Sequence, residues 1–541
     1  MSLSKKIILQ LLKEKAADKS KLNDVKRLLS SSFQKSPPSN MELFKSYRNL
    51  LQKKKIKASP GLEKLLKTRE IRTLSGVAII TVLTKPYPCP GKCVYCPSDS
   101  RMPKSYLPKE PAAARGLALK FNPYKQVAKR IEMLQLNGHN TDKIELIVKG
   151  GTWSSYPKKY REWFIGRCFE AANNSPLRRR GAGGDLIMAQ KINEMAKNRI
   201  IGLTLELRPD SVTPKEVAHL RKLGCTRIEM GVQTIDDKIL KLIRRGHNTK
   251  QVAEATALLR NAGFKVDYHL MPGLPGVSPK KDLENFKEIF KNPAYRPDMI
   301  KIYPCSVIPQ TPLHSWWKKG QYKPISTKAL IDLIIKMKLL VPRYVRISRI
   351  IRDIPGDDIA CGNVVTNLRE LIKQKMKKQG LKCKCIRCRE IGHQFKKTRK
   401  QKNKKTKLFI DKYKTLGGDE YFISIEDAKR ETIFAFARLR LPEITPPNPP
   451  LHKGGNIGLP EIKGAGLIRE LHTYGHLVPV EKRLKGASQH LGFGKTLMKE
   501  AEKIARKNGF KKMAVISGIG VRAYYRKLGY GLSGTYMVKN I

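Results

Sequence analysis

Cys89-Pro90-Gly91-Lys92-Cys93-Val94-Tyr95-Cys96-Pro97 sets thiols at three positions, with three and then two residues between them. The loop follows the apolar run Val77–Leu83, which reads as a strand, so the thiols lie at a strand's C-terminal end. Thiolates this close repel one another unless they are protonated or bound to metal. Only three ligands are local, so a fourth comes from elsewhere or one metal position stays open. On a [4Fe–4S] cluster, an open iron can be chelated by a small molecule. The alternative is a structural zinc knuckle closed by a distant Cys or His. The spacing favours the cluster, because zinc sites prefer paired Cys-x-x-Cys. Pro88, Pro90, Gly91 and Pro97 exclude a regular helix and suit a wrapping backbone.

A second trio, Cys383, Cys385 and Cys388, has His393 shortly after and Cys361 as a rival fourth ligand. Soft ligands at this density suit tetrahedral zinc in a structural clip. Cys168, Cys225 and Cys305 lack ligand spacing and read as buried small residues. Other polar groups fall at strand ends: Lys149-Gly150-Gly151-Thr152, Glu206 with Arg208, Gln233, and His269 before Met271–Gly276. Each alone has a bland reading. Together at one rim they form a pocket for a zwitterionic nucleoside ligand.

The elements that position these groups alternate strand and helix from 76 to 315. Six strands are expected: Val77–Leu83, Ile144–Val148, Ile201–Leu207, Arg227–Met230, Val266–Leu270 and Met299–Tyr303. Helical patterns between them imply an α/β fold with a parallel sheet, a partial (β/α)6 barrel whose chemistry gathers at the C-terminal strand ends. Residues 1–75 form a lysine-rich helical arm. Residues 316–407 read as a linker carrying the second thiol trio and a basic insertion at Lys396–Lys407. Residues 408–541 form a further domain. Arg343, Arg346, Arg349 and Arg352 recur every third residue with few local acids, which favours a phosphate-binding ridge.

The 541-residue chain carries a net charge of +64. Self-repulsion of that size calls for a polyanionic partner, with nucleic acid ahead of a membrane surface. No apolar run is long enough to span a bilayer and no signal peptide is evident. Clustered cysteines at ligand spacing point to a reducing cytoplasm.

Gln489-His490-Leu491-Gly492-Phe493-Gly494-Lys495 opens a helix over Thr496–Lys507; a strand and Tyr524-Tyr525-Arg526-Lys527-Leu528-Gly529-Tyr530 follow. Free N–H groups at a helix start can hold a pyrophosphate. The two motifs in this order suggest a coenzyme A-binding acyltransferase-type fold.

With these residues together, the chain resembles the catalytic subunit of Elongator and its single-subunit relatives across nearly its full length. Cys89, Cys93 and Cys96 match that family's radical S-adenosylmethionine (SAM) motif. Lys149–Thr152 match the segment near the methionine end of SAM, Cys383, Cys385 and Cys388 its zinc linker, and the N-terminal arm its tRNA-binding region. The resemblance implies a radical SAM barrel followed by a GNAT-like α+β acetyl-CoA domain. It also implies modification of a tRNA wobble uridine to 5-carboxymethyluridine, with acetyl-CoA as carbon donor. Glu206, Arg208, Gln233, Gly150 and Gly151 are then expected around SAM, with Lys149 at its carboxylate. Glu470, Leu471, His472 and Gln489–Lys495 are expected at acetyl-CoA, with Tyr524 and Tyr525 near the thioester. Its partners would be a tRNA anticodon stem-loop and an electron donor, with a homodimer or accessory subunits left open. Two other readings stand beside it: a protein lysine acetyltransferase with a structural Fe–S cluster, and a non-catalytic RNA-binding scaffold.

Overall fold

The computed structural model describes residues 1–15, 18–68, 75–174, 182–392, 406–443, 458–474 and 492–541. Four helices open the chain: α1 (Leu3–Lys13), α2 (Lys19–Ser32), α3 (Asn40–Gln52) and α4 (Pro60–Leu66). Ile7, Ile8, Leu11, Leu43 and Tyr47 bury their apolar stripes in a small core of their own, which leaves the lysines outside.

A seven-stranded parallel sheet follows, with its strands in chain order: β1 (Ala78–Leu83), β2 (Lys143–Lys149), β3 (Arg199–Leu207), β4 (Arg227–Gln233), β5 (Lys265–Leu270), β6 (Met299–Ile302) and β7 (Arg346–Arg349). Apolar strand runs form this sheet, and capped helices cross over between the strands. Asn122 accepts from Lys125 N and Thr213 from Glu216 N, while Asn248 and Gln251 form a capping box. Six strands were expected and a seventh is found. β7, Arg-Ile-Ser-Arg, falls within the residues expected to be a linker. Its charge density hides it: only Ile347 is fully buried, while Arg346 reaches Glu390 and Arg349 takes Asp353 four residues on.

A second, mixed sheet is ordered β13-β14-β12-β11-β10-β9-β8. Its strands are β8 (Thr406–Thr415), β9 (Gly418–Asp427), β10 (Ile433–Pro442), β11 (Gly466–Thr473), β12 (Lys512–Val515), β13 (Gly531–Ser533) and β14 (Tyr536–Asn540). β11 and β12 run parallel and pair only from Gly466–Met513 to Ile468–Val515. β11 then continues to Thr473 without β12, which leaves a wedge between the two strands.

One core joins the sheets, with Phe422, Phe436 and Tyr536 packed in the same cluster as Leu203 and Phe264. A buried ion network locks them. Arg469 holds Asp298, which lies just before β6, at 2.6 and 2.8 Å, and Glu420 of β9 at 2.9 Å. Arg438 lies 3.5 Å from Asp298, and Arg440 bonds both Glu420 and Asn261. Burial alone would raise the Asp298 carboxyl, but Arg469 and Arg438 outweigh it and hold the group well below the usual range. Removing one partner of such a network strands a buried charge. Asp298→Asn is therefore expected to cost about 3–5 kcal/mol, seen as a lower midpoint of thermal or denaturant unfolding.

Candidate functional site

The cysteine loop leaves the C-terminal end of β1. Cys93 is buried, and Cys89 and Cys96 are partly exposed. Cys89 Sγ lies 3.6 Å from Thr152 Oγ1, so the loop touches the segment after β2. That segment turns through Gly150 (φ 145°) and Gly151 (φ 78°), and a side chain at Gly150 would overlap the Thr84 hydroxyl. Val94 N donates to Ile243 O, and Arg245 Nη1 donates to Cys93 Sγ at 3.4 Å. The three sulfurs of this loop do not gather within 4.8 Å of one another, whereas those of Cys383, Cys385 and Cys388 do. A tetrahedral zinc with Zn–S near 2.3 Å needs sulfurs about 4 Å apart. The second trio is gathered tightly enough for one tetrahedral ion, and the first is not grouped in that way.

Inside the barrel, strand register builds an ion cluster beneath that rim. Glu206 lies opposite Glu229, and His269 opposite Lys301. Lys149 Nζ contacts Glu206 at 2.5 Å and also Glu229. Lys301 pairs with Glu229, His269 Nε2 lies 3.2 Å from it, and Tyr106 Oη donates to Glu206 at 2.8 Å. Burial opposes ionisation of Glu229, but Lys149 and Lys301 hold its carboxyl well below the usual range. Burial lowers His269 to about 4, leaving a neutral imidazole. It also lowers Lys301 to about 8, against the pull of Glu229. Glu206, Glu229 and His269 are close enough to ligate a cation, but the two ammonium groups already neutralise their carboxylates.

Of the expected rim residues, Lys149 and Glu206 meet. Arg208 instead forks onto Asp210 and points toward Gly91 of the thiol loop, where an added Cβ would sit 2.5 Å from Nη1. Gln233 ends β4 in a left-handed conformation (φ 71°), its carbonyl accepting from Met271 N. Glu229 and Lys301 were missed. Their signal is a charge set inside an apolar strand, Arg-Ile-Glu-Met and Met-Ile-Lys-Ile.

The opposite end of the barrel opens on a cavity of about 710 Å³ that reaches into the β11–β12 wedge. Glu470, Leu471, His472, Gly492, Gly494, Lys495, Tyr524 and Tyr525 line it from the second sheet. Ile79, Glu145, Arg227, Lys265 and Arg346, toward the N-terminal ends of their strands, line it from the first. An added Cβ at Gly494 would come within 2.5 Å of Tyr524 Oη, so the helix start and this tyrosine leave no room for a side chain. Tyr525 is buried and Tyr524 partly exposed. Glu470 is engaged by Lys265 at 3.3 Å and Arg438 at 2.9 Å. Burial would raise it, but these cations bring it down to about 2. Phe493 turns away onto Phe434. Gln489, His490 and Leu491 lie outside the described residues.

Comparison with known proteins accounts for the barrel. The Radical SAM superfamily domain matches residues 87–289 and the Radical_SAM C-terminal domain residues 297–378, a span that includes β7. A tRNA uridine(34) acetyltransferase of Methanocaldococcus infernus is 46% identical over 93% of this chain and 92% of its own. The Elongator complex protein 3 of Homo sapiens is 40% identical over 88% of this chain and 86% of its own. This chain belongs to the Elongator protein 3 family. The solved structure of an archaeal Elp3 from M. infernus, lacking its N-terminus, superposes with a TM-score of 0.73 at 42% identity, covering 87% of this chain and all of that one.

Membership in the radical SAM superfamily implies a [4Fe–4S] cluster and SAM, and the open sulfur spacing at Cys89, Cys93 and Cys96 is consistent with both. As a member of the Elongator protein 3 family, the chain also carries the second thiol trio. Cys385 is buried and Lys338 Nζ lies 3.8 Å from Cys388 Sγ. Cys361 pairs by backbone with Val307 and takes no part in that trio; His393 and residues 396–405 of the basic insertion lie outside the described residues. The arginine ridge is corrected. Arg346 bonds Glu390 and Tyr474, Arg349 bonds Asp353, and Arg352 bonds Glu110 and Ser105, while Arg343 bonds the Arg430 carbonyl. Glu390 and Glu110 arrive from distant parts of the chain, while Asp353 lies four residues from Arg349. Among the described residues, no helix is long and apolar enough to cross a membrane.

Proposed function

We propose that this enzyme converts the wobble uridine of tRNA to 5-carboxymethyluridine, taking the new carbons from acetyl-CoA. What carries the reading is a wedge shaped for an acyl-CoA, of GNAT type, that opens onto the base of a radical SAM barrel whose other end bears the thiol loop. The family relatives named tRNA uridine(34) acetyltransferase give the substrate class.

Lys149 and Glu206 offer a cation and an anion to the carboxylate and ammonium of SAM, with Gly150 and Gly151 admitting it close to the backbone. A [4Fe–4S] cluster held by Cys89, Cys93 and Cys96 would, when reduced, supply the electron for cleavage of SAM to methionine and a 5′-deoxyadenosyl radical. Transfer of a hydrogen atom from the acetyl methyl to that radical would give 5′-deoxyadenosine and an acetyl-CoA carbon radical that adds to C5 of uridine. Loss of one electron and one proton restores the base, and hydrolysis of the thioester releases CoA. The helix start at Gly492–Lys495 holds pyrophosphate, and Tyr524 over Gly494 sits at the acyl end. Cys383, Cys385 and Cys388 hold a structural zinc, with His393 as the proposed fourth ligand.

Helices α1–α4 and the +64 charge supply phosphate contacts that fix the anticodon stem-loop, so that the wobble base can be splayed out to the chemistry. With six or so such contacts, tRNA affinity should fall about 10³-fold between about 50 and 200 mM salt. A filter-binding series would read it, and a flat response would remove the argument from charge. The direct test of function is an anaerobic incubation with SAM, reductant, acetyl-CoA and tRNA, read by nucleoside mass spectrometry. Acetylation of protein lysines without SAM, in place of tRNA modification, would favour a lysine acetyltransferase.

A further inference from the structure

Two arginines flank the cysteine loop, and their charges are handled differently. Arg208 is neutralised by Asp210, which takes Nε and Nη2 at 2.9 Å each. Arg245 is equally buried but forms no ion pair with a carboxylate among the described residues. Its Nη1 donates to Cys93 Sγ at 3.4 Å and its Nη2 to Gly231 O at 2.5 Å, and its Nε is unpartnered. Arg208 Nη2 in turn donates to the Arg245 carbonyl, and the Val94 N–H to Ile243 O ties the cysteine loop to the same turn. A buried guanidinium without a counter-charge is costly. The negative group it touches is the thiolate of Cys93, with whatever that thiolate binds, while Asp210 acts on it from beyond ion-pair distance.

We propose that Arg245 is a positioning residue that sets the reduction potential of the cluster by donating to the Cys93 sulfur and placing an uncompensated positive charge beside it. An iron–sulfur cluster gains one negative charge on reduction, so a fixed cation and a hydrogen bond at a ligand sulfur favour the reduced form. Arg245 thereby lets a weaker one-electron donor reduce the cluster. Gly231 is part of the device, since a Cβ there would sit 2.5 Å from Arg245 Nη2 and push the guanidinium off its carbonyl. The inference rests on the cluster and not on the carbon donor.

The test is an EPR-monitored redox titration, with dithionite and mediators, of the full chain reconstituted anaerobically as wild type, Arg245→Gln, Arg245→Lys and Gly231→Ala. Iron content is matched between samples. At the wild-type midpoint, the ratio of reduced to oxidised cluster should fall at least tenfold in Arg245→Gln, a shift of about 59 mV for a one-electron couple. Gly231→Ala should shift in the same direction, and Arg245→Lys, which keeps the charge, should shift less. If Arg245→Gln fails to hold iron, Gly231→Ala carries the measurement. A loaded Arg245→Gln or Gly231→Ala protein titrating at the wild-type midpoint would overturn the role of Arg245 while leaving the cluster standing. A wild-type protein without an iron–sulfur signal would overturn both.

Discussion

Cys93→Ala is expected to remove iron, SAM cleavage and tRNA modification together, each to background. The trio supplies only three protein ligands, and Cys93 is the buried one, seated between the Val94–Ile243 bond and Arg245. Two partly exposed thiols cannot hold the cluster that membership in the radical SAM superfamily implies. The chain itself should stay folded, because the substitution lies in a loop outside the main barrel core. Cys383→Ala gives the contrasting result. Iron and SAM cleavage should remain, zinc should be lost, and the unfolding midpoint should fall. Metal analysis beside thermal unfolding separates the two. If Cys93→Ala kept its iron, the first trio would not be the cluster site.

Glu229→Gln carries the second large effect. The carboxylate is fully buried and binds Lys149 and Lys301 at once, with His269 alongside. Gln keeps the shape and removes the charge, leaving Lys149 to Glu206, Lys301 to Asp267 and Glu206, and Arg227, 3.8 Å from the Glu229 carboxylate, with less to balance it. Breaking a buried pair in this way costs about 3–5 kcal/mol. The penalty should depend on pH. Burial already lowers Lys301 to about 8, below its unfolded value, so the unfolded chain binds more protons there and stability from this group rises with pH through that window. Without Glu229 the Lys301 value drops further, and the lysine sheds its proton more readily. The variant should therefore recover part of its loss as pH increases, and Lys301→Met in the same background should recover it without a pH change. Unfolding midpoints of the single and double variants at neutral and alkaline pH measure the coupling. Equal, pH-independent losses in all of them would show that Glu229 and Lys301 do not share a charge balance.

The sequence was informative wherever the signal was local. Apolar runs located β1 to β6, since a buried parallel strand must be apolar along its length. Cysteine spacing singled out both thiol trios, and the glycine-rich helix start marked the wedge cavity that Gly492, Gly494 and Lys495 line. Charge buried against distant charge was not legible. β7 looked like a phosphate ridge because Glu390 and Glu110, the partners of Arg346 and Arg352, lie 44 and 242 residues away. The lock of Asp298 on Arg469 spans 171 residues and joins the two sheets, so no window of sequence contains it. Glu229 and Lys301 escaped for the same reason: each has its meaning only when β4 and β6 are brought into one barrel. Spacing favoured iron over zinc at the first trio without deciding between them. The distance between sulfurs, set by how each loop folds, is what distinguishes the trios.

Joining the wedge to the barrel matters only if both act on one carbon. Acetyl-CoA deuterated at its methyl group tests this directly, in an anaerobic reaction with SAM, reductant and tRNA, with 5′-deoxyadenosine recovered and weighed by mass spectrometry. Deuterium should appear in the 5′-deoxyadenosine, and the modified uridine should retain the remaining label. A 5′-deoxyadenosine free of deuterium, formed alongside modified uridine, would mean that the radical takes its hydrogen elsewhere and that acetyl-CoA is not the carbon donor activated in this barrel.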